Sequence, residues 1–258
     1  MSIRIESREN ALVKRMVRLS GDRKYRRDTQ EMVCEGGKML EEALLSEIEI
    51  HDILIADNAE VSTEYLHQAE QQGARLHSCP NSLMQKISNV KTPQGILFSC
   101  ERPVTRLETL RGDRFMVLEG LQDPGNLGTI IRTADAFALD GIVLCEGCVD
   151  STSPKVVRAT MGAAFRLPIA AASLEETVEY FKGEQIPLYA TALSEQSIPL
   201  TAVALNRAAV LIGNEGRGIS KKAASLSDQL IIIPMEGRAE SLNASVAASI
   251  IMYEMSRK

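Results

Sequence analysis

The chain has 258 residues, 45% apolar and 24% charged, with a net charge of −5 and a sequence pI near 5.4. That is enough apolar material for one large domain or two ordinary ones, and the acidic balance excludes a generic polyanion binder that is basic all over. No run of about 18 apolar residues is present, so no membrane span is expected. The N-terminal MSIRIESREN lacks the apolar stretch of a secretory signal, which makes a cytoplasmic protein the default.

Residues 7–19 place Leu12, Met16 and Leu19 on one side and read as a basic amphipathic helix. Strands are predicted at 31–36, 48–56, 74–77 and 95–100, with helices at 38–46, 59–71 and 80–88 between them, which makes a small α/β unit. A polar seam with Pro103 follows at 101–114, and twelve of the seventeen glycines lie within or after it. Two domains are therefore expected, 1–104 and 105–258. Beyond the seam the strand candidates 115–120, 141–146, 187–191, 208–213 and 230–234 are mostly continuous apolar runs. Such runs mark parallel strands buried on both faces. Helical patterns fall at 127–138, 154–163, 174–183, 219–226 and 243–256. The alternation predicts a doubly wound α/β fold with ligands at the C-terminal ends of its strands.

Charge is uneven along the chain. Residues 1–27 hold nine basic side chains against three acidic ones, a local balance of +6. Such a segment is a phosphate-contacting patch or a solvated helical face. The five cysteines are too scattered and too few for a disulfide framework. Cys145 and Cys148 form one CxxC, but His51, His67 and His77 are remote from it, so ordinary thiols are expected and no metal site. Trp is absent and aromatics are 4%, which weighs against a stacking platform for single strands.

Three strand ends carry unusual loops. In LEGLQDPGNLGTIIR, Asn126 is the expected N-cap, and Gly128, Arg132 and Ala136 share one helix face at spacings of four. In LIGNEGRGIS, three glycines precede a helix start, a loop that brings backbone amides close to a ligand. It lacks the Gly-Lys-Ser/Thr ending of a phosphate-binding P-loop and the GxGxxG order of a dinucleotide site. In IPMEGRAESLNASVAASI, Asn243 is an N-cap candidate for a helix of very small side chains that must pack closely on another backbone.

Together, in this order, DPGNLGTIIRTADAFALDGIVL, LIGNEGRGI and IPMEGRAESLNASVAASI resemble the three motifs of the SpoU/TrmH RNA ribose 2′-O-methyltransferases of the SPOUT superfamily. The resemblance covers residues 115–258. LVKRMVRLSGDRKYRRDTQEMVCEGGKMLEEAL and SNVKTPQGILFSC resemble, more loosely, the ribosomal-protein-like RNA-binding domain that precedes the catalytic domain in this family. The resemblance implies an α/β domain with a parallel sheet and a C-terminal trefoil knot, a homodimer, and S-adenosylmethionine as cofactor. It carries Arg132, Asn126, Glu215, Ser241 and Asn243 over as catalytic positions. Gly213, Ile233 and Leu242, with Thr191, Leu211 and Met235 less directly, carry over as cofactor-holding positions. A guanidinium with a pKa above about 12 is a poor base. Arg132 is therefore expected to clamp an RNA phosphate and the developing alkoxide.

The expected partner is RNA, ribosomal RNA before tRNA. A non-catalytic assembly factor on the same fold is the alternative, disfavoured by the full set of motif residues. A nucleotide-dependent oxidoreductase is disfavoured because no strand ends in GxGxxG with an acidic residue about 20 positions on.

Overall fold

The computed structural model describes residues 3–257. The chain divides into two compact units, Met1–Pro103 with Asp150–Arg166, and Val104–Val149 with Leu167–Lys258.

The first unit opens with β1 (Ile3–Arg4), α1 (Ala11–Gly21) and α2 (Arg23–Thr29). Asn10 caps α1 by accepting from the Leu12 amide at 2.9 Å, so the helix starts later than the expected residue 7. Its buried stripe is Val13, Met16 and Leu19, one residue round from the predicted Leu12. Next come β2 (Glu31–Glu35), α3 (Gly37–Leu45), β3 (Ile50–Ala56), α4 (Thr63–Gln71), β4 (Arg75–Cys79), α5 (Asn81–Ile87) and β5 (Ile96–Glu101). The five strands form one sheet in the order β1-β4-β3-β5-β2. The β1, β4 and β3 strands run parallel, whereas β5 is antiparallel to both of its neighbours. Apolar side chains cover both faces, one cluster around Phe98 and Leu40 and the other around Met16 and Leu54.

The second unit runs through β6 (Arg114–Leu118), α6 (Pro124–Ala136) and β7 (Gly141–Leu144). The chain then leaves this sheet for α7 (Pro154–Ala159) and α8 (Ala163–Arg166), which belong to the first unit. It returns as β8 (Ile169–Ala171), α9 (Leu174–Gly183), β9 (Leu188–Thr191), β10 (Ile198–Pro199), β11 (Ala208–Ile212), α10 (Lys221–Leu226), β12 (Gln229–Ile232) and α11 (Ala244–Ser256). Every strand pair is parallel, in the order β10-β12-β9-β11-β6-β7-β8. The β7 and β11 strands are buried at every residue, as their unbroken apolar runs require. The sequence winds outward from β6 to β7 on one side, and β11 flanks β6 on the other. That reversal opens a crevice at the carboxyl ends of the central strands.

Residues 150–166 correct two expectations. They lie with the first unit, not the second, and they form two short helices instead of one across 154–163. Met161 (φ 51°) and Gly162 (φ 95°) break the helix, and a Cβ on Gly162 would sit 2.7 Å from Cβ of Glu42. Only glycine tolerates both the backbone angle and that approach. The break turns Val157 and Phe165 into the core beside Met32 and Leu40.

Candidate active site

The loop after β6 is set by Asp123, not Asn126. The Asp123 side chain accepts from the Asn126 amide at 2.8 Å, and Pro124 takes the first helical position, where its missing N–H costs nothing. Asn126 is thus the third residue of α6. Its side chain is released from capping and makes contacts outside the helix.

Those contacts join the three motif loops. Nδ2 of Asn243 donates to Oδ1 of Asn126 at 3.0 Å, and Nδ2 of Asn126 donates to Oε1 of Glu215 at 3.1 Å. Glu215 also accepts from the backbone amides of Asp123 (3.0 Å) and Gln122 (3.3 Å). Burial pushes the Glu215 carboxyl up, but the Asp123 amide, the Asn126 side chain and the Gln122 amide outweigh it, and its pKa lies below the ordinary value. It is therefore a carboxylate at neutral pH, an acceptor that orients Asn126 and holds the β6 loop. Asn243 caps α11 as expected, its Oδ1 accepting from the amides of Ser245 (2.9 Å) and Val246 (3.3 Å).

The loop after β11 is tightly closed. Asn214 and Gly218 exchange two backbone hydrogen bonds of 2.9 Å, and Oδ1 of Asn214 accepts from the amides of Gly216 and Arg217. Nδ2 of Asn214 reaches the Gly120 carbonyl at 2.8 Å, and Glu119 accepts from the Ser220 amide at 2.8 Å. A Cβ on Gly213 would lie 2.2 Å from the backbone of Gly218. No side chain fits there.

Beside this loop is a cavity of about 490 Å³, within the range of about 300–1,000 Å³ of small-molecule sites. Isoleucines at the ends of β11 and β12, with Met235 and Leu242, make its apolar part. Glu215, Arg217, Glu240 and Ser241 supply its polar edge. Of the positions expected to hold a cofactor, Thr191, Gly213, Ile233, Met235 and Leu242 line it. Leu211 does not. It is fully buried in the core behind, and its carbonyl accepts from the Thr191 hydroxyl at 3.2 Å. Ser241 lines the cavity and is exposed. Arg132 is exposed on α6, away from the cavity lining, and has no side-chain hydrogen bond or ion pair among the described residues.

Sequence reasoning missed Asp123, Asn214, Arg217 and Glu240. Asp before Pro-Gly is a legible cap signal, and Asn before Glu-Gly a legible Asx turn. Nothing local marks the other two. Cys145 and Cys148 are buried thiols on strand-end backbone. Cys148 donates to the Leu118 carbonyl at 3.2 Å, and burial pushes Cys145 up to about 12. A second concavity lies along α6 and α11, which pack against each other, and is lined by Phe137, Val246, Ile250 and Tyr253 among others.

Residues 113–253 match the family model described as the SpoU rRNA Methylase family, and residues 10–97 match one described as an MRM3-like substrate binding domain. The chain is similar to 23S rRNA (guanosine(2553)-2′-O)-methyltransferase RlmP of Bacillus subtilis (strain 168), 33% identical over 252 residues that cover 97% of this chain and 98% of that protein. Among solved structures, an AdoMet-bound rRNA methyltransferase from Sinorhizobium meliloti superposes with a TM-score of 0.88 at 30% identity, covering 98% of this chain and 96% of that one. The SpoU methyltransferase AviRb from Streptomyces viridochromogenes, in complex with AdoMet, gives 0.83 at 26% identity, covering 96% and 97%.

Proposed function

The chain belongs to the SpoU rRNA methylase family, and from that premise we propose that it methylates a ribose 2′-hydroxyl of 23S ribosomal RNA with S-adenosylmethionine as donor. The reading is supported by the hydrogen-bonded line Asn243–Asn126–Glu215, which ties all three motif loops together where the cavity opens. The cavity lining suits this donor. Its isoleucine and leucine side chains would hold the apolar part of the donor, the backbone of Gly213 and Ile233 would be available to its polar edges, and the charged residues at the rim would suit a zwitterionic tail. Bound there, the donor supplies a methyl group on a good sulfonium leaving group.

The chain's own task is the poor partner, the hydroxyl. It must be aligned, and its proton must pass to an acceptor as the oxygen takes the methyl group and the sulfonium leaves as a neutral thioether. A neighbouring RNA phosphate or a water takes that proton, since a guanidinium is a poor base. Asn126 and Asn243, held in one orientation by Glu215 and by the α11 cap, present fixed dipoles at the motif junction. Ser241 offers a hydroxyl at the cavity edge. Arg132, without a side-chain hydrogen bond or ion pair among the described residues, serves as a clamp on a phosphate and the developing alkoxide.

Because Arg132 stands outside the cavity of its own chain, the reading includes a homodimer that brings α6 of one copy to the site of the other. The exposed Val246 and Tyr253 on the α6–α11 groove are the face a second copy would cover. Tyr253→Asp is expected to shift the protein from dimer to monomer in sedimentation. An unchanged mass would remove the dimer from the reading. A C-terminal trefoil knot and a cytoplasmic site of action go with the same family reading. Among the described residues no helix is long and apolar enough to cross a membrane.

The deciding experiment maps ribose methylation in total RNA from cells with and without the gene. One 23S position that loses its methyl group is expected. Loss at a tRNA position instead, or no change, overturns the substrate assignment.

A further inference from the structure

The first unit holds a group of guanidiniums that the chemistry above does not use. They come from α2 and from the residue after β5, around an acid at the start of the 150–166 segment. Arg26 is buried, 3% exposed. Its Nη2 lies 2.5 Å from Oδ2 of Asp150, and its Nη1 donates to the carbonyl of Leu19 at 2.5 Å. The other Asp150 oxygen accepts from the amide and hydroxyl of Thr152 at 3.0 and 2.8 Å. Both oxygens of the acid are thus engaged.

Around that pair stand three more cations. The Arg102 amide donates to the carbonyl of Gln30, the C-cap of α2, at 2.9 Å, so its backbone is fixed at that helix end. Its side chain is half-buried and has no hydrogen bond or salt bridge among the described residues. Arg23 is exposed and likewise unpaired. Arg27 is exposed, and its nearest acid, Asp28 at 3.8 Å, is held by Lys24 at 2.5 Å. Burial holds the Arg102 pKa below the ordinary arginine value, against the pull of Asp150, and Arg23, Arg26 and Arg27 add to the effect.

A half-buried cation among like charges is unfavourable unless an anion completes it. The one internal acid at hand is already engaged by Arg26 and Thr152. An external anion with several oxygens would complete the group, and a guanidinium fork matches a phosphate diester in two-point contact.

We propose that Arg102, with Arg23 and Arg27, forms a phosphate-binding surface that positions the backbone of the RNA substrate, built on the buried Arg26–Asp150 pair. The proposal rests on the RNA-methyltransferase reading. Its contacts go to the sugar–phosphate backbone, so they set affinity and register and carry no base sequence.

The test measures binding of the full-length protein to a 23S ribosomal RNA transcript between about 50 and 200 mM salt. Arg102→Ala is expected to weaken binding on the order of tenfold, as for loss of a charged hydrogen-bonded contact. The slope of log affinity against log salt should fall by about 0.7–0.9, one phosphate's worth. Arg102→Lys should restore the slope and only part of the affinity, because a point charge replaces a fork. The Arg23→Ala/Arg27→Ala double variant, whose side chains are exposed, should lower the slope further while S-adenosylmethionine affinity by calorimetry stays at the wild-type value. An unchanged slope in Arg102→Ala, or full affinity in the double variant, overturns the proposal. A wild-type protein that binds the transcript with this salt dependence yet methylates another RNA would instead refute the substrate assignment and leave the surface standing.

Discussion

Two loops border the cavity of the second unit, and they are held very differently. Residues 213–220 are closed by a double backbone bridge, an Asx turn, a side-chain bond to Gly120 and a carboxylate on the Ser220 amide. Residues 234–242 make no hydrogen bond or ion pair among the described residues, and 236–241 are all exposed. The first loop is organised before any ligand arrives. The second contributes Met235, Glu240, Ser241 and Leu242 to the cavity, and only the α11 cap at Asn243 fixes its end. Changes in the first should therefore reach stability and binding together, whereas changes in the second should reach binding alone.

The sharpest attack on that contrast is Gly213→Ala. Its methyl group has nowhere to go but into the Gly218 backbone. A loss of about 3 kcal/mol is expected in urea unfolding, with S-adenosylmethionine binding abolished. A near-neutral variant would mean that the loop has room to relax.

Next in size is the acid limb of Glu215. Its folded pKa lies below the ordinary 4.5, so its contribution to stability is complete above that value and fades as pH falls through the folded one. Stability thus rises with pH across that window, because the unfolded chain binds the proton more readily. Glu215→Gln should flatten this limb in unfolding curves taken from about pH 3 to 7. An identical acid limb in both proteins would remove Glu215 from the loop's support.

The smallest effect is expected at Glu240→Ala, within about 0.5 kcal/mol in stability. Amides of 235–242 should exchange faster than those of 214–218 by hydrogen exchange, and slow on addition of S-adenosylmethionine. Equal protection of the two loops without ligand would erase the distinction.

The parallel sheet was legible because β6, β7 and β11 are unbroken apolar runs, and the three motif loops because their residue types recur in a fixed order. The cap of α11 was legible from Asn243 alone. Asn126 was misplaced because Asp123 and Asn126 are both good caps, and Pro124 at the first helical position decides between them. Leu211 was assigned to the cavity because a strand buried at every residue shows no alternation to say which side faces a ligand. The destination of 150–166 was hidden for a related reason. An apolar Val156–Val157 pair and Phe165 announce burial but not the surface that receives them.

That excursion also governs how the molecule is made. Val157 and Phe165 complete the core that begins with Met32 and Leu40, so the N-terminal unit stays unfinished on the ribosome until Arg166 has emerged, well after the nascent chain has begun the other sheet. Cutting the gene at the polar seam would strand α7 and α8 on the wrong fragment. Each half would then carry a raw apolar face, and an expression trial of the two halves cut at the seam should yield aggregates where the whole chain yields protein in solution.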